Sequence, residues 1–292
     1  MTESIVCGLI GTGISFSLTP PMHEREAQHH GLAYAYKIID LDVLELSVDD
    51  LPRLVATARD LGFRGLNITH PCKQRVIELL DDLSSDAARL GAVNTVLFDD
   101  GRAIGHNTDW TGFGRNLDRG LPAVGLDHVV QLGAGGAGAA VAYAVLSRGA
   151  RHYTVVDSDL ARATALSESM SRLFPSQTVD AAASADAASV IGGADGLINA
   201  TPMGMAAHPG MAVAADVLRP DLWVADVVYR PAETELLSAA RSLGAPVLSG
   251  TGMTVFQAVA AFEIFTGLSA DADRMTDHMR ELLGREEAVL TA

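Results

Sequence analysis

The sequence predicts a two-domain α/β protein, with an N-terminal, mostly parallel α/β domain and a doubly wound nucleotide-binding domain behind it. Two observations lead there. Short β-rich runs alternate with helical patterns through the first third of the chain, and an apolar run closed by a glycine turn starts the same alternation afresh near residue 128. A third sets the scale: 292 residues at 48% hydrophobic and 20% charged content bury a large core, and chains of this length often divide in two.

In order, residues 5–10 read as a strand, 21–30 as a helix entered through Pro20 and Pro21, 36–41 as a strand, 51–61 as a helix and 65–69 as a strand. A helix is expected over 71–80. A hairpin follows, 93–98 with 102–105, because Asp99-Asp100-Gly101 carries the turn chemistry between them. The second domain opens with a strand at 128–132, a glycine loop, a helix to Arg148 stopped by Gly149, and a strand at 153–156 ending before Asp157. Strands are expected at 196–199, 223–228 and 246–248, and helix or loop over the alanine-rich 181–189. The tail from 255 to about 287 reads as buried helix packing back on the first domain.

Composition excludes several classes. A formal net charge of -15 repels nucleic acid and anionic membranes at long range, so any anionic ligand must be captured locally. No strongly apolar run is long enough for a bilayer, and Met1-Thr2-Glu3-Ser4 lacks a basic leader region. Cys7 and Cys72 form no disulfide framework, which fits a reducing cytoplasm. His70-Pro71-Cys72 lacks zinc-site spacing, so no metal is assigned and Cys72 reads as a packing residue. His23, His29 and His30 read as solvent-facing positions on a polar helix. The glycosylation patterns at Asn67 and Asn199 read as turns.

The cofactor signal is Gly133-Ala134-Gly135-Gly136-Ala137-Gly138, which follows an apolar strand, opens a helix and precedes an acid about twenty positions on. Glycines there permit a tight turn and close approach of a pyrophosphate to free N–H groups at the helix start, a Rossmann-type arrangement. Asp157 would accept hydrogen bonds from the ribose hydroxyls and repel a 2′-phosphate, which predicts NAD over NADP, with Arg151 and Arg162 as nearby cations that weigh the other way.

The chemistry is expected where Asn67, Thr69 and Lys73 share a polar segment and Gly105-His106-Asn107-Thr108-Asp109 forms a second one. Oxidising a secondary alcohol needs a proton acceptor for the hydroxyl, and Lys73 and Asp109 are the candidates. Taken singly, Lys73 also fits a solvated first-turn helix residue and Asp109 an N-cap for a helix starting at Trp110. Ser17 and Thr19 offer hydroxyls before a helix start, suited to a carboxylate and equally to N-capping by Thr19.

Together, Ser17-x-Thr19-Pro20, Asn67-x-Thr69-x-Pro71-x-Lys73, Gly91-Ala92-Val93-Asn94-Thr95, Gly105-x-Asn107-Thr108-Asp109, the glycine loop, Asn199-Ala200-Thr201-Pro202-Met203-Gly204-Met205 and Gln257-Ala258 closely resemble the shikimate dehydrogenase family. The resemblance runs through nearly the whole chain. It implies a substrate domain of residues 1–109 completed by helices of 253–292, a nucleotide domain of 110–252, and a cleft where the two meet. It makes Lys73 and Asp109 a catalytic pair, puts Ser17, Thr19 and Tyr229 near a substrate carboxylate, and gives Asn67, Thr69, Asn94 and Gln257 to ring hydroxyls. The implied nucleotide contacts are Gly135, Gly136, Ala137, Asp157, Thr201 and Val228, together with Gly252, and with Met203 and Met253 packing near the nicotinamide.

Asp157-Ser158 stands where the biosynthetic members carry an Asn-Arg-Thr type of NADP signature, and Thr19 where serine is common, so the chain looks like the NAD-dependent quinate/shikimate branch. The expected reaction is reversible oxidation of the C3 hydroxyl of shikimate or quinate, by a monomer or homodimer. Thr19 is not expected to separate the two acids strongly, since one methyl discriminates little. The rival readings are a dehydrogenase of another polyhydroxylated or amino-substituted cyclohexane carboxylate, and a sensor that binds NAD or a ring acid without turnover.

Overall fold

A computed structural model describes residues 4–290, with side chains described as far as 285. The leader reading of Met1, Thr2 and Glu3 lies outside those residues, as does the end of the tail at 291–292. In chain order the elements are β1 (Ser4–Gly11), α1 (Thr19–His29), β2 (Ala33–Asp40), α2 (Leu51–Asp60), β3 (Gly65–Ile68), β4 (Asp82–Leu83), α3 (Ser85–Leu90), β5 (Thr95–Asp99), β6 (Arg102–His106) and α4 (Asp109–Gly120). There follow β7 (His128–Leu132), α5 (Gly136–Leu146), β8 (His152–Asp157), α6 (Leu160–Leu173), β9 (Thr178–Ala183), α7 (Ala187–Ile191), β10 (Gly196–Asn199) and β11 (Trp223–Asp226). The chain ends with α8 (Glu235–Ser242), β12 (Val247–Leu248), α9 (Gly250–Thr266) and α10 (Ala272–Leu290).

These elements form two compact units, Met1–Thr108 with Gln257–Ala292, and Asp109–Phe256. The first holds a six-stranded sheet in the order β2-β1-β3-β5-β6-β4, parallel through β2, β1 and β3 and turned antiparallel by the β5–β6 hairpin. Asp100 and Gly101 both take positive φ in that hairpin, 47° and 75°, as its turn chemistry requires. Both faces of the sheet are covered, so its central strands read as unbroken apolar runs. Leu41, Leu51, Val55, Leu66, Val76 and Val93 pack in one cluster, and Cys7, Leu9, Tyr36, Ala261 and Phe265 in another. The second cluster joins Ala261 and Phe265 of the tail to Cys7, Leu9 and Tyr36. Gly65 is required there: a Cβ would strike the Phe265 ring and lie 2.5 Å from the Val96 carbonyl oxygen.

The second unit is a six-stranded, all-parallel sheet ordered β12-β11-β10-β7-β8-β9, the doubly wound arrangement. Its order reverses between β7 and β10, so the loops after those strands stand at the topological switch point. The α/β class and the Rossmann-type second sheet follow the sequence prediction.

Several local expectations are corrected. Residues 71–80 form no α-helix. Turns carry the chain to a short 3₁₀ segment, Arg75–Leu79, because the Lys73 carbonyl accepts the Val93 N–H at 2.9 Å and so is taken out of any helical ladder. Lys73 therefore sits in a turn. The 181–189 stretch begins as the end of edge strand β9 before turning helical. The strand expected over 223–228 stops at Asp226, whose carboxylate takes the Val228 N–H. The helical tail comprises two helices, separated by Gly267 at φ +70° and restarted by Asp271, which accepts the N–H groups of Asp273 and Arg274 at 3.0 Å each.

His23 is the largest departure. It is fully buried beside Tyr34, Tyr36, Phe262 and Phe265, with Nδ1 3.0 Å from the Tyr34 hydroxyl. Burial drives its pKa down to about 3, so the ring stays neutral. The polar composition of α1 hides an inner face formed by Met22, His23, Glu26 and Ala27. Glu26, only 1% exposed, meets Arg274 of α10 at 2.6 Å and ties the two helices together. His29 and His30 are exposed, as read.

Three parallel strands, β2, β8 and β11, end in buried aspartates: Asp40, Asp157 and Asp226. At Asp226 the carboxylate accepts Asn199 Nδ2 at 2.9 Å, Val228 N–H at 2.9 Å and Thr234 Oγ1 at 2.7 Å. Burial pushes its pKa from 3.8 to about 6 despite these three donors. A carboxylate whose folded-state value is raised contributes stability that is fully present below about pH 3.8 and is lost as pH rises through about 6.

Two outcomes are expected. Gly65→Ala should cost about 1–3 kcal/mol through overpacking against Phe265 and Val96, read as a lower urea midpoint. The stability advantage of the wild type over Asp226→Asn should be roughly 2 kcal/mol greater at pH 4.5 than at pH 7.5 in denaturant titrations. A difference that stays flat over that range would mean Asp226 holds no costly buried charge.

Candidate active site and nucleotide loop

In the first unit the candidate residues gather at the carboxyl ends of β1 and β3, where an open α/β sheet places its ligands. The two strand ends are joined by loop bonds, Thr69 N–H to Ile10 O at 2.9 Å and Thr12 N–H to His70 O at 3.0 Å. Thr69 and half-buried Lys73 lie on the turn after β3, and Cys72 between them is fully buried as a packing residue. His70 is exposed. Among the described residues no group of three or more His, Cys, Asp or Glu side chains could hold a metal ion.

Asn67 and Asn94 are both 4% exposed and share one network. Tyr36 donates its hydroxyl to Asn67 Oδ1 at 2.6 Å, and Asn67 Nδ2 donates to Asn94 O at 3.2 Å and to Thr95 Oγ1 at 2.9 Å. Both amide protons of Asn67 are thus spent inside the protein. One lone pair of Oδ1 is left, so Asn67 can serve a ligand only as an acceptor. Asn94 Oδ1 accepts the Thr108 N–H at 2.7 Å, and Asn94 Nδ2 donates to Thr108 Oγ1 at 2.9 Å. Asn107 is held likewise by donation to Ala92 O at 3.0 Å. These bonds fix the segment that leads to Asp109.

Asp109 is 8% exposed and is the first residue of α4, so the helix expected from Trp110 begins one residue earlier. Thr19 is not an N-cap: it is inside α1, Leu18 occupies the cap position without a side-chain bond, and Ser17 Oγ accepts the Thr19 N–H at 3.3 Å. Gln257 lies half-buried on α9 in the first unit. Tyr229 lies in the second unit after β11, with the Arg230 guanidinium 5.7 Å from its ring centre.

In the second unit the glycine loop joins β7 to α5. Gly133 has φ +96° and its N–H meets Val156 O at 2.7 Å, while a Cβ on Gly138 would lie 2.5 Å from Gly133 O. These two glycines serve the turn and the close packing of helix on strand. Gly135 and Gly136 differ, because a Cβ on either would meet nothing within 4 Å. Open space at the start of a helix, next to Ala137, fits a pyrophosphate.

Asp157 Oδ2 accepts the Ala134 N–H at 2.8 Å, and Oδ1 accepts Asp159 N–H at 2.9 Å and Arg162 Nη2 at 2.7 Å. Burial pushes this carboxyl up, but the bonds from Asp159, Ala134 and Arg162 outweigh it and hold it below the usual carboxylate value. Arg162 is therefore engaged with Asp157, whereas Arg151 pairs with Asp127 at 3.3 Å.

The segment after β10 is tied to Asp226. Asn199 Oδ1 accepts Thr201 Oγ1 at 2.6 Å, Thr201 Oγ1 accepts Met203 N–H at 3.2 Å, and Asn199 Nδ2 donates to both Met203 O and Asp226. One side-chain cluster thus sets Thr201, Met203 and, through its N–H, Val228. Gly252 and Met253 lie in the first turns of α9, where a Cβ on Gly252 would strike Asn116 Oδ1. The sequence reading passed over Asp40, Asp226 and Tyr36. The available signal for the aspartates was an acid closing an apolar run, as at Asp157.

Residues 9–96 match the shikimate dehydrogenase substrate binding domain, 250–280 the shikimate 5′-dehydrogenase C-terminal domain, and 129–244 the saccharopine dehydrogenase NADP binding domain. A shikimate dehydrogenase (NADP(+)) of Streptomyces avermitilis is 56% identical, covering 97% of each chain. A quinate/shikimate dehydrogenase (NAD(+)) of Corynebacterium glutamicum is 50% identical over 95% of this chain and 98% of its own. Among solved structures, quinate dehydrogenase from Corynebacterium glutamicum in complex with NAD superposes with a TM-score of 0.91 at 50% identity, covering 94% of this chain and 98% of that one. Shikimate 5-dehydrogenase from Listeria monocytogenes, in complex with shikimate and NAD, gives 0.86 at 31% identity over 96% and 99%. On matches of this extent, the chain belongs to the shikimate dehydrogenase family of oxidoreductases.

Proposed function

We propose that this protein catalyses the reversible, NAD-linked oxidation of the C3 hydroxyl of shikimate and quinate. The unit of Met1–Thr108 and Gln257–Ala292 takes the ring acid, and the unit of Asp109–Phe256 takes the dinucleotide. Family membership supports the reaction. The choice of NAD is carried by one observation, the ionised Asp157 bonded to the glycine-loop amide of Ala134. A 2′-phosphate brought to that carboxylate would meet like charge. Relatives named for each cofactor stand at similar identity, so the local geometry has to decide.

NAD supplies a hydride acceptor when bound. The glycine loop fits its pyrophosphate, with Gly133, Gly135, Gly136, Ala137 and Gly138 shaping the turn. Asp157, beside Arg162, takes the ribose hydroxyls, Thr201, Val228 and Gly252 are further nucleotide contacts, and Met203 and Met253 pack near the nicotinamide. Lys73 takes the proton that leaves the substrate hydroxyl at its Nζ, with Asp109 as its carboxylate partner. Ser17, Thr19 and Tyr229 hold the substrate carboxylate, while Asn67, Thr69, Asn94 and Gln257 meet ring hydroxyls. For Asn67 that contact must be acceptance from a hydroxyl, since its amide protons are already engaged.

Cys7 and Cys72 are buried and free, which fits a reducing compartment, and we extend the proposal to a cytoplasmic enzyme working as monomer or homodimer.

Lys73→Ala is expected to lower kcat by about 10² to 10⁴ with the fold intact by circular dichroism. Near-normal turnover in that folded variant would end the proton-shuttle assignment. In steady-state assays with shikimate and with quinate, kcat/KM should favour NAD over NADP by roughly tenfold or more, and Asp157→Ala should shrink that ratio. A wild-type preference for NADP would overturn the role given to Asp157.

A further inference from the structure

We infer that Asp40 is a positioning residue for the carboxylate end of the substrate, fixing the loop between β1 and α1 so that Ser17 and Thr19 are held ready for it. This role rests on the assignment of Ser17 and Thr19 to the carboxylate proposed above.

Asp40 closes β2 and is 4% exposed. Its Oδ1 accepts the N–H groups of Gly13 at 3.1 Å and Asp42 at 3.2 Å, and its Oδ2 accepts Ile14 N–H at 2.9 Å and Ser15 Oγ at 2.6 Å. Two carboxylate oxygens thus receive four donors, about their full capacity. Three of the four come from the loop that carries Ser17.

The bonds continue from there to the proposed ligands. The Ile14 carbonyl accepts the Ser17 N–H at 2.9 Å, and Ser17 Oγ accepts the Thr19 N–H at 3.3 Å. Apolar burial anchors the loop at Ile14, which packs against the cluster of Cys7, Leu9 and Tyr36, and at Leu18, while Gly13, Ser15 and Phe16 are exposed. Gly13 also takes φ +67°, a conformation that glycine adopts without steric cost. On its other side the loop is fastened at Thr12, to His70 O, and at Gly11, whose carbonyl accepts the Leu41 N–H at 2.8 Å.

Two effects of Asp40 on an anionic substrate have opposite sign. Burial raises its carboxyl pKa, but the donors from Ser15, Asp42, Ile14 and Gly13 outweigh that and keep it ionised below the usual carboxylate value. A fixed negative charge repels a carboxylate, so removing it would tighten binding if electrostatics ruled. The same removal disorders the loop, so it would weaken binding if positioning ruled. An asparagine keeps the shape of Asp40 but turns one end into an N–H₂ group facing two donors, which leaves those donors without acceptors.

The experiment is steady-state kinetics with shikimate and NAD on Asp40→Asn, Ser15→Ala and Ser17→Ala. Positioning predicts that Asp40→Asn raises KM for shikimate about tenfold or more, with kcat within roughly threefold and KM for NAD unchanged. Ser15→Ala, at an exposed residue that supplies one of the four donors, should raise it by about twofold to fivefold. An analogue with hydroxymethyl in place of the carboxylate should be handled equally by wild type and Asp40→Asn. A lowered or unchanged KM for shikimate in Asp40→Asn overturns the role, as does an equal loss with the analogue. If that variant does not fold, an unchanged KM in Ser15→Ala overturns it. If Ser17→Ala itself leaves KM for shikimate unaltered, the carboxylate assignment fails instead. If Ser17→Ala raises KM while both Asp40→Asn and Ser15→Ala do not, the role of Asp40 alone fails.

Discussion

The proposed binding loops of both units depend on one interaction, an aspartate at the carboxyl end of a parallel strand accepting N–H groups from the loops around it. Loops at that end of an open sheet carry backbone donors with no ladder partner, and burying them unsatisfied is costly. Asp40 supplies acceptors for the loop after β1, Asp157 for the glycine loop after β7, and Asp226, with Asn199, for the segments after β10 and β11. Every loop so fixed holds residues assigned to a ligand. Asp40 and Asp157 meet enough donors to stay strongly ionised, whereas Asp226, with three donors in a drier setting, has its pKa pushed to about 6.

The same device reconciles an acidic protein with anionic ligands. A formal charge of -15 repels a dinucleotide or a ring acid at a distance, but such fields are screened within about 8 Å in physiological salt. Closer in, local donors decide. Gly135 and Gly136 leave the start of α5 open, and Ser17 and Thr19 present hydroxyls beside the start of α1, so each proposed anion site uses hydrogen-bond donors rather than net positive charge.

Periodicity made most of this fold legible: the hairpin at Asp100-Gly101, the Gly149 stop and the parallel second sheet are all local chemistry that a linear reading captures. It failed where a distant group took over a backbone atom. Val93 claims the Lys73 carbonyl and prevents the helix over 71–80, and the Asp226 carboxylate ends a strand whose apolar residues continue to Val228. His23 failed for a related reason. The average polarity of α1 says nothing of which face is covered, and only the packing of Phe262 and Phe265 against β1 and β2 seals that histidine in. For the site, the sequence motifs marked residues proposed to meet a ligand. Tyr36, Asp40 and Asp226 stand behind those residues, and without the fold nothing joins them to the motifs.

Tyr36 shows why such supporting residues matter to chemistry as well as to stability. An isolated asparagine side chain is ambidextrous, offering two protons and two lone pairs, and would accept a carbonyl or a hydroxyl with little preference. By donating to Oδ1 while Asn94 and Thr95 absorb both amide protons, the surroundings strip Asn67 of its donors and leave a single acceptor. A hydroxyl can satisfy that acceptor and a carbonyl oxygen cannot. The polarity of this position toward any ring substituent is therefore set by the Tyr36 hydroxyl, the Asn94 backbone carbonyl and the Thr95 hydroxyl, none of them a group assigned to the ligand, and it is set before the ligand arrives.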